Sequence, residues 1–535
     1  MPGKFRLPRQ KSLIAPMIRN PFIHDLRLST LDKIQIAVGS VTIAPIRFLF
    51  LLLLLLLSWL IATIATMGMD TSKPMTGWRK FCKRILVIMG RTMYFFMGFH
   101  NIEIRGKPAP SSEAPLMTCA PHSTYFDIIT IFVGEGLASG VSRKENSTIP
   151  LIGALTKSTQ PVLVDREDPN SRRNTIEEIK KRAQSAGAWP QVIIFPEGTC
   201  TNRSCLINFK QGAFLPGMPV QPVALKYPNK LDTFTWTWQG PGGLKILWYT
   251  LCQFHNRLEV EFLPVYHPSE EEKNNAKLYA VNVRAKIAAV LNLPTTDHTF
   301  DDCMLMVAAG KSDMPMDAGL VEFQKLREKL GKVHFPGSLH EAPQSLKLED
   351  MRQLLKKYSS IAGKEGGVIG IDDFAKHLNL PVTEPLKELF SMYDRDGSGR
   401  IDFREYVIGL SVVSQPANTE ETLQMAFKMF DTEGNGKITE ASLAAILRSA
   451  FNMETMDVSD LFKAVDTNGN GVITYDEFEA FSKAHPEYAG LFKTYQDLKR
   501  EEELTLVEEE MENLDEEDSS NLEVLGSPEE GKKDA

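Results

Sequence analysis

No CxxC pair occurs in this 535-residue chain, and no cysteine lies beyond residue 303. Of its six cysteines (Cys82, Cys119, Cys200, Cys205, Cys252 and Cys303), Cys200 and Cys205 lack the second pair that a structural zinc site needs. The pattern reads as reduced packing residues in a chain that faces the cytosol. A nucleic-acid-binding module is missing too, so the basic stretches do not point to nucleic acid. With 43% hydrophobic and 24% charged residues the chain is globular rather than disordered, and its length allows two to four domains.

Charge is unevenly placed. The net charge is -8, yet residues 501–535 hold 15 acidic groups and 2 lysines, so the remainder is basic. The first 33 residues carry seven Lys/Arg and two Asp, which suits a front end near anionic lipid and a solvated tail. From Phe48 to Met69 there are 22 residues without a charge, including seven consecutive leucines. That is enough to cross a bilayer core as a helix, and too long and too far in for a cleaved signal peptide. Basic residues flank it on both sides (Lys33 and Arg47, then Arg79, Lys80, Lys83 and Arg84), so charge bias selects no orientation. A hairpin that enters and leaves by one face fits at least as well as a single crossing. The next stretch sets Lys80, Arg84 and Arg91 on one helical face and Trp78, Phe81, Ile85 and Ile88 on another. An interfacial amphipathic helix and a buried helix of the core fit this spacing equally.

Short apolar runs then alternate with helical stretches. PLMTCA (115–120), PVLVD (161–165), QVIIFP (191–196), VQPVAL (220–225) and LEVEFLP (258–264) read as strands, mostly of a sheet covered on both faces. Between the second and third runs, SRRNTIEEIKKRAQSAG reads as an amphipathic helix ending at Gly187. The fold class expected is an α/β domain behind an N-terminal membrane-anchoring helix. Polar groups cluster at the strand ends: His122 to Asp127, Asp165-Arg166, Phe195 to Thr199 with Asn202 and Arg203, and FKQGAF (209–214) before Val220-Gln-Pro222. A single imidazole and carboxylate make a poor zinc site.

HxxxxD, an arginine at a strand end, FPEGT and a Val-x-Pro strand, in that order, resemble the four blocks of the glycerolipid acyltransferases over about residues 113–300. Acyl transfer from a thioester to an alcohol needs a base for the hydroxyl proton and a group to hold the oxyanion. His122 is the expected base and Asp127 the group that orients it. Residues five apart on a helix lie about 140° apart, so His122 must precede a helix capped by Ser123 or Thr124, with Asp127 one turn in. Backbone N–H groups at that helix start are in reach of the oxyanion. Direct attack by the acceptor hydroxyl needs no enzyme nucleophile, and Ser123 reads as a cap. The resemblance further implies that Arg166 and the Glu197-Gly198-Thr199 turn bind the acceptor's phosphate and glycerol, with Glu197 orienting Arg166 or a glycerol hydroxyl. Lys144 and Arg143 are additional basic candidates.

From about residue 350 the pattern changes to helix–loop–helix units whose loops begin at 362, 394, 431 and 466, spacings that suit two paired hands. DTNGNGVITYDE offers Asp466, Asn468, Asn470, the carbonyl of Val472 and Glu477 to calcium. DRDGSGRIDFRE offers Asp394, Asp396, Ser398, the carbonyl of Arg400 and Glu405. The loop at 431 ends in Ser442 where a bidentate glutamate is wanted, and the unit at 362 has lost its first ligands, so both read as structural partners.

The acyltransferase blocks followed by an all-α EF-hand domain narrow the resemblance to the lysophosphatidylcholine acyltransferases, with NPFIHDLRLS (20–29) and the 235–256 stretch nearer the first isoform than the second. It implies acyl-CoA and lysophosphatidylcholine as substrates, phosphatidylcholine as product, and acetyl transfer to lyso-platelet-activating factor as a related activity. A calcium-sensing membrane scaffold with an inactive, lipid-binding transferase domain is the competing reading, and intact His122, Asp127, Arg166 and Glu197 oppose it. The terminal KKDA places Lys532 and Lys533 as a dilysine signal for coat-protein retrieval to the endoplasmic reticulum, with Golgi and lipid droplets as further sites. Such a signal needs a cytosolic C-terminus, as does a calcium sensor. The expected order is a basic segment (1–45), a membrane helix or hairpin (46–70), an amphipathic interfacial segment (71–112) and the transferase domain (113–312). A linker with a degenerate hand (313–375), the EF-hand domain (376–490) and an acidic tail (491–535) follow. Replacing either twelfth-position glutamate, Glu405→Gln or Glu477→Gln, should weaken calcium binding at that loop about tenfold or more, roughly 1.4 kcal/mol for one lost bidentate ligand, as read by calcium titration.

Overall fold

The computed structural model describes residues 19–485 except 135–136, 166–170, 331, 334–343, 363–365, 379, 418–423, 425–426, 428–430, 432–434 and 452–457. Arg166, the tail 491–535 and the terminal Lys532 and Lys533 therefore lie outside the described residues. Two compact units form: one is Pro16–Met304 with Glu322–Gln324, the other takes in Leu305–Val321 and the chain from Lys325.

The first unit opens with three helices, α1 (Thr30–Val41), α2 (Ile43–Thr66) and α3 (Trp78–Phe96). Its sheet comprises β1 (Ile102–Arg105), β2 (Leu116–Ala120), β3 (Ser139–Arg143), β4 (Val162–Val164), β5 (Val192–Ile194), β6 (Val220–Lys226) and β7 (Leu258–Phe262), in the order β1-β7-β6-β2-β5-β3-β4. All pairings are parallel except β6 with β7. Interleaved are α4 (Thr130–Val133), α5 (Ile152–Ser158), α6 (Ser171–Ala183), α7 (Gly243–Leu251), α8 (Glu270–Asn274) and α9 (Ala276–Leu291). The five apolar runs all became strands. The sequence patterning missed β1 and β3: IEIR alternates weakly at an exposed edge, and SGVSR carries one large apolar residue. Pairing with β4 and β5 defines β3, so its strand character is tertiary. Because β1 joins the sheet, the α/β unit begins ahead of residue 113.

Alternation along β2 sends side chains to two separate cores. Met117 and Cys119 join one with Ile36 of α1, Tyr94 of α3 and Ile246 of α7. Leu116 and Ala120 join the other with Ile179 of α6 and Tyr279, Val283 and Ile287 of α9. The sheet is thus covered on both faces, except at its two edges, where Ile104 of β1 and Leu163 of β4 are exposed.

Helix α2 lies along this unit, against α3, α5 and α7, instead of projecting from it. At its start, Arg47 donates to the carbonyls of Leu251, Gln253 and Phe254. Beyond its end, Gln160, just after α5, bonds the backbone of Lys73 and Met75. Helix α3 returns alongside, and Asn256 donates to the carbonyl of Met97 just past its end. The apolar residues Trp78, Phe81 and Ile88 of α3 face outward, while Lys83, Leu86, Gly90 and Tyr94 are buried. One face of this helix is core, and the other exposes apolar residues beside Lys80, Arg84 and Arg91.

In the second unit the hands pair two by two. Ile369–Gly370 pairs antiparallel with Arg400–Ile401, and Ile438 bridges Ile473. Buried Tyr358 ties the first pair by donating its hydroxyl to the carbonyls of Gly367 and Ile401.

Gly106 follows β1 at a φ of +73°, and a Cβ there would stand 2.0 Å from the Phe262 carbonyl oxygen. Gly106→Ala should destabilise the unit by about 1–3 kcal/mol, seen as a lower melting temperature of the full chain in detergent.

Candidate active site

His122 sits in the loop between β2 and a short 3-10 helix, Tyr125–Ile129, and so precedes the helix. The cap is Thr124, whose side chain pairs reciprocally with Asp127 in a capping box. Ser123 does not cap; its Oγ accepts a hydrogen bond from Arg203 at 3.0 Å.

The His122 Nδ1 is 2.9 Å from Asp127 Oδ2. The same oxygen accepts from Ser123 N–H at 2.7 Å and Thr124 N–H at 3.0 Å, and Tyr227 donates its hydroxyl to Oδ1 at 2.6 Å. Accepting from His122 at this oxygen assigns the proton to Nδ1 and makes Nε2 the ring nitrogen that can take a proton. Because the Ser123 and Thr124 N–H groups are committed to Asp127, the expectation that the helix start holds an oxyanion is not met by them. The imidazole is about a quarter exposed and stacks on Phe195, with ring centroids 4.2 Å apart. Burial works to lower its proton affinity, but the Asp127 carboxylate and the Cys200 sulfur outweigh it and hold the pKa well above that of an ordinary histidine.

Glu197 is engaged by backbone groups. It is wholly buried, and its Oε2 accepts the His122 N–H at 2.6 Å while Oε1 accepts the Ile207 N–H at 3.3 Å. Burial pushes its carboxyl up to about 8. It braces the backbone that carries the histidine. Gly198 has a φ of +68°, and the Lys210 side chain crosses it, with Nζ 2.7 Å from where a Cβ would stand. Thr199 Oγ1 accepts from the Trp238 indole at 3.1 Å. Lys144, at the end of β3, is 62% exposed and pairs with Asp165 at 2.8 Å. The Arg143 side chain, like all of Arg166, is outside the described residues.

Sequence reasoning missed Tyr227, and it placed Arg203 and the segment holding Lys210 at strand ends without giving either residue a role. Arg203 bonds Ser123 and Asp232 and lies over the Tyr227 ring. Tyr227 lies 100 residues from Asp127, and no local pattern joins them. Lys210 had one signal, its place in FKQGAF.

A cavity of about 1510 Å³ runs from His122, Pro196, Gly198, Thr199 and Lys210 past Ile128, Phe132, Leu155 and Ile193 to Leu55 and Ser58 of α2 and Leu86, Gly90 and Met93 of α3. His122 and Lys210 stand at one end, the course toward α2 and α3 is largely apolar, and Ser142, Asn146, Thr156 and Asp165 line a further, polar part.

In the EF-hand unit, ligand oxygens of Asp394, Asp396 and Glu405 lie within 4.8 Å of one another. The Ser398 and Gly399 N–H groups turn toward Asp394, and the Ser398 hydroxyl donates to the Arg400 carbonyl. Burial, with Asp402 and Asp396 nearby, pushes the Glu405 carboxyl up to about 7, the response of crowded acids suited to a cation. In the fourth loop Asp466 accepts from Asn470 and Gly471 N–H groups, Asn470 Oδ1 accepts the Val472 N–H, and Glu477 folds back onto Asn468 and Thr474. The third loop keeps the Asp431 turn, with Ser442 bonded to Thr439.

Family models agree with this division. The acyltransferase model matches residues 101–226, an EF hand 386–408 and an EF-hand domain pair 420–483. Lysophosphatidylcholine acyltransferase 2 of Danio rerio is 48% identical over 93% of this chain and 92% of its own length. The chain belongs to the lysophosphatidylcholine acyltransferase family. Lysophosphatidylcholine acyltransferase 1 of Mus musculus is 49% identical over 89% of this chain and 87% of its own, so both isoforms stand at similar identity. Among solved structures, the 1-acyl-sn-glycerophosphate acyltransferase PlsC of Thermotoga maritima aligns with 46% of this chain and 98% of its own at 18% identity and a TM-score of 0.30, too slight a likeness to carry an inference. As a member of this family the chain is an acyltransferase, with EF-hand domains behind its transferase domain.

If Glu197 is a brace, Glu197→Gln keeps an acceptor for the His122 N–H, gives up only the longer bond from Ile207 N–H, and should leave acceptor KM near that of the unsubstituted protein with a small loss of stability. Glu197→Ala strands two buried N–H groups at about 1–3 kcal/mol of stability. A large rise in acceptor KM for Glu197→Gln with unchanged stability would restore Glu197 as a substrate ligand.

Proposed function

We propose that this protein transfers an acyl group from acyl-CoA to the free glycerol hydroxyl of lysophosphatidylcholine, giving phosphatidylcholine and free CoA. The observation that carries the reading is the His122–Asp127 pair, with the ring lining one end of a long cavity whose course toward α2 and α3 is largely apolar. Neutral His122 takes the acceptor's hydroxyl proton as the oxygen attacks the thioester carbonyl. The imidazolium formed is stabilised by the Asp127 carboxylate, which Tyr227 and two backbone N–H groups hold in place. Collapse of the tetrahedral intermediate breaks the carbon–sulfur bond, and the proton on His122 passes to the departing thiolate. The apolar part of the cavity suits an acyl chain. Lys210, with Arg166 by family resemblance, supplies positive charge for the acceptor's phosphate; Lys144, paired with Asp165, stands at the cavity's margin. Acetyl transfer to lyso-platelet-activating factor would use the same chemistry with a shorter donor.

Helix α2 is long and apolar enough to cross a membrane by length and composition. Its start and the connection beyond its end are both held by the same α/β unit, which supports α2 and α3 as a hairpin seated in one leaflet with both chain ends on one side. That side would be cytosolic, at the endoplasmic reticulum, where the terminal dilysine could be read; Golgi and lipid-droplet membranes are compatible with the same anchor. The loops at 394–405 and 466–477 would hold calcium, with the two glutamates as bidentate ligands.

The test is product formation from labelled acyl-CoA and a panel of lysophospholipids. His122→Ala should lose about a hundredfold or more in kcat, and equal turnover by the two proteins sinks the proposed base. Because His122 has raised proton affinity and must be neutral to act, kcat/KM should rise with pH, with its midpoint above the ordinary histidine value of about 6.5. Asp127→Asn removes the group that favours the imidazolium, so the midpoint should move down as the maximal rate falls.

A further inference from the structure

Helix α1 is docked the wrong way round for a soluble protein. Its inward face is small or polar: Gly39 is buried against Cys252, Gln35 donates to the Gln253 side chain at 2.8 Å, and Ser40 accepts the Trp248 indole N–H at 2.9 Å. Ile36 is the large apolar residue it buries. Outward it presents Leu31, Ile34, Val38 and Val41, which are 77%, 55%, 52% and 79% exposed. Their spacing of three, four and three residues makes one continuous stripe. Lys33 is the charged residue exposed beside it, on a stem long enough to carry the ammonium away from an apolar layer. Phe254, 65% exposed, lies alongside: Arg47 holds its carbonyl, and its neighbour Gln253 holds Gln35.

Water is the wrong solvent for such a face, and a contiguous exposed apolar surface marks a docking site. What covers it is indicated by continuity. Through the single residue Thr42, α1 passes into α2, whose own exposed residues Ile46, Leu49, Leu53, Leu56 and Leu60 are all apolar. We propose that the outward face of α1, with Phe254, is a second lipid-contacting surface that seats in the headgroup–acyl boundary of a phospholipid leaflet. This rests on the reading of α2 as a membrane element and extends it to a helix too short to span. The surface also bears on the reaction site. Helix α7 ends beneath α1 at Cys252 and begins at Gly243, whose carbonyl accepts the hydroxyl of Tyr125, a residue lining the cavity. Nine residues of helix, about 13 Å, thus connect the depth of α1 in the leaflet to the cavity wall beside His122.

The experiment uses the full chain reconstituted in phosphatidylcholine vesicles that contain a lipid spin-labelled high on its acyl chain. An environment-sensitive fluorescent amino acid is placed in turn at Val38, at Leu53 on α2 and at exposed Glu271 on α8. Loss of fluorescence to the lipid label is expected at Val38 and Leu53, and at Glu271 only to aqueous iodide. Quenching at Leu53 but iodide quenching at Val38 overturns the proposal and leaves the membrane reading of α2 intact. Protection of Val38 from both quenchers also overturns it, because a protein partner or second copy then covers the face. Iodide quenching at both Leu53 and Val38 removes the membrane reading together with this extension of it.

Discussion

The Asp127 carboxylate is the constraint around which the site is arranged. A charge taken fully out of water is tolerable only when its lone pairs are met by donors. Here four donors meet it, and each comes with a structural demand: the Ser123 and Thr124 N–H groups require the chain to wrap around the carboxylate, Tyr227 requires β6 to lie beside β2, and His122 requires the loop to stop short of the helix. Glu197 closes the same loop from the other side by holding the His122 N–H, with β5 beside β2. The histidine's position is thus set by backbone bonding on three neighbouring strands, and its chemistry by a carboxylate that could not be buried without them.

The same unit combines two solvents. The core on one face of the sheet runs into α1 and α3, whose remaining faces carry exposed apolar residues, and the cavity extends from the catalytic loop to the inner sides of α2 and α3. A substrate with a phosphate-bearing head and a long apolar chain matches such a cavity, polar at His122 and Lys210 and apolar beyond. The His122 loop and the helices with exposed apolar faces are parts of one packed body.

Much of this was legible along the chain. Apolar runs marked five strands, the uncharged stretch marked α2, the twelve-residue loops marked the hands and their pairing, and helix geometry required His122 to precede the helix. Legibility failed where a feature depended on partners distant in the chain. Strands β1 and β3 lack the apolar density that periodicity detects, because an edge position or two neighbouring strands define them. Glu197 looked like a ligand because a carboxylate in a loop is usually solvated; its burial against two N–H groups follows from how β2 and β5 lie together.

By itself the sequence determined the order of chemistry-bearing blocks, the calcium-loop pattern and the presence of a long apolar segment, since each is written in residues close together in the chain. Only the tertiary structure decided that Tyr227 and Arg203 stand behind the His–Asp pair, that Glu197 is buried against two backbone N–H groups, and that α1 turns its apolar stripe outward. Those outcomes depend on which surfaces meet across a hundred or more residues, and local spacing carries no record of that.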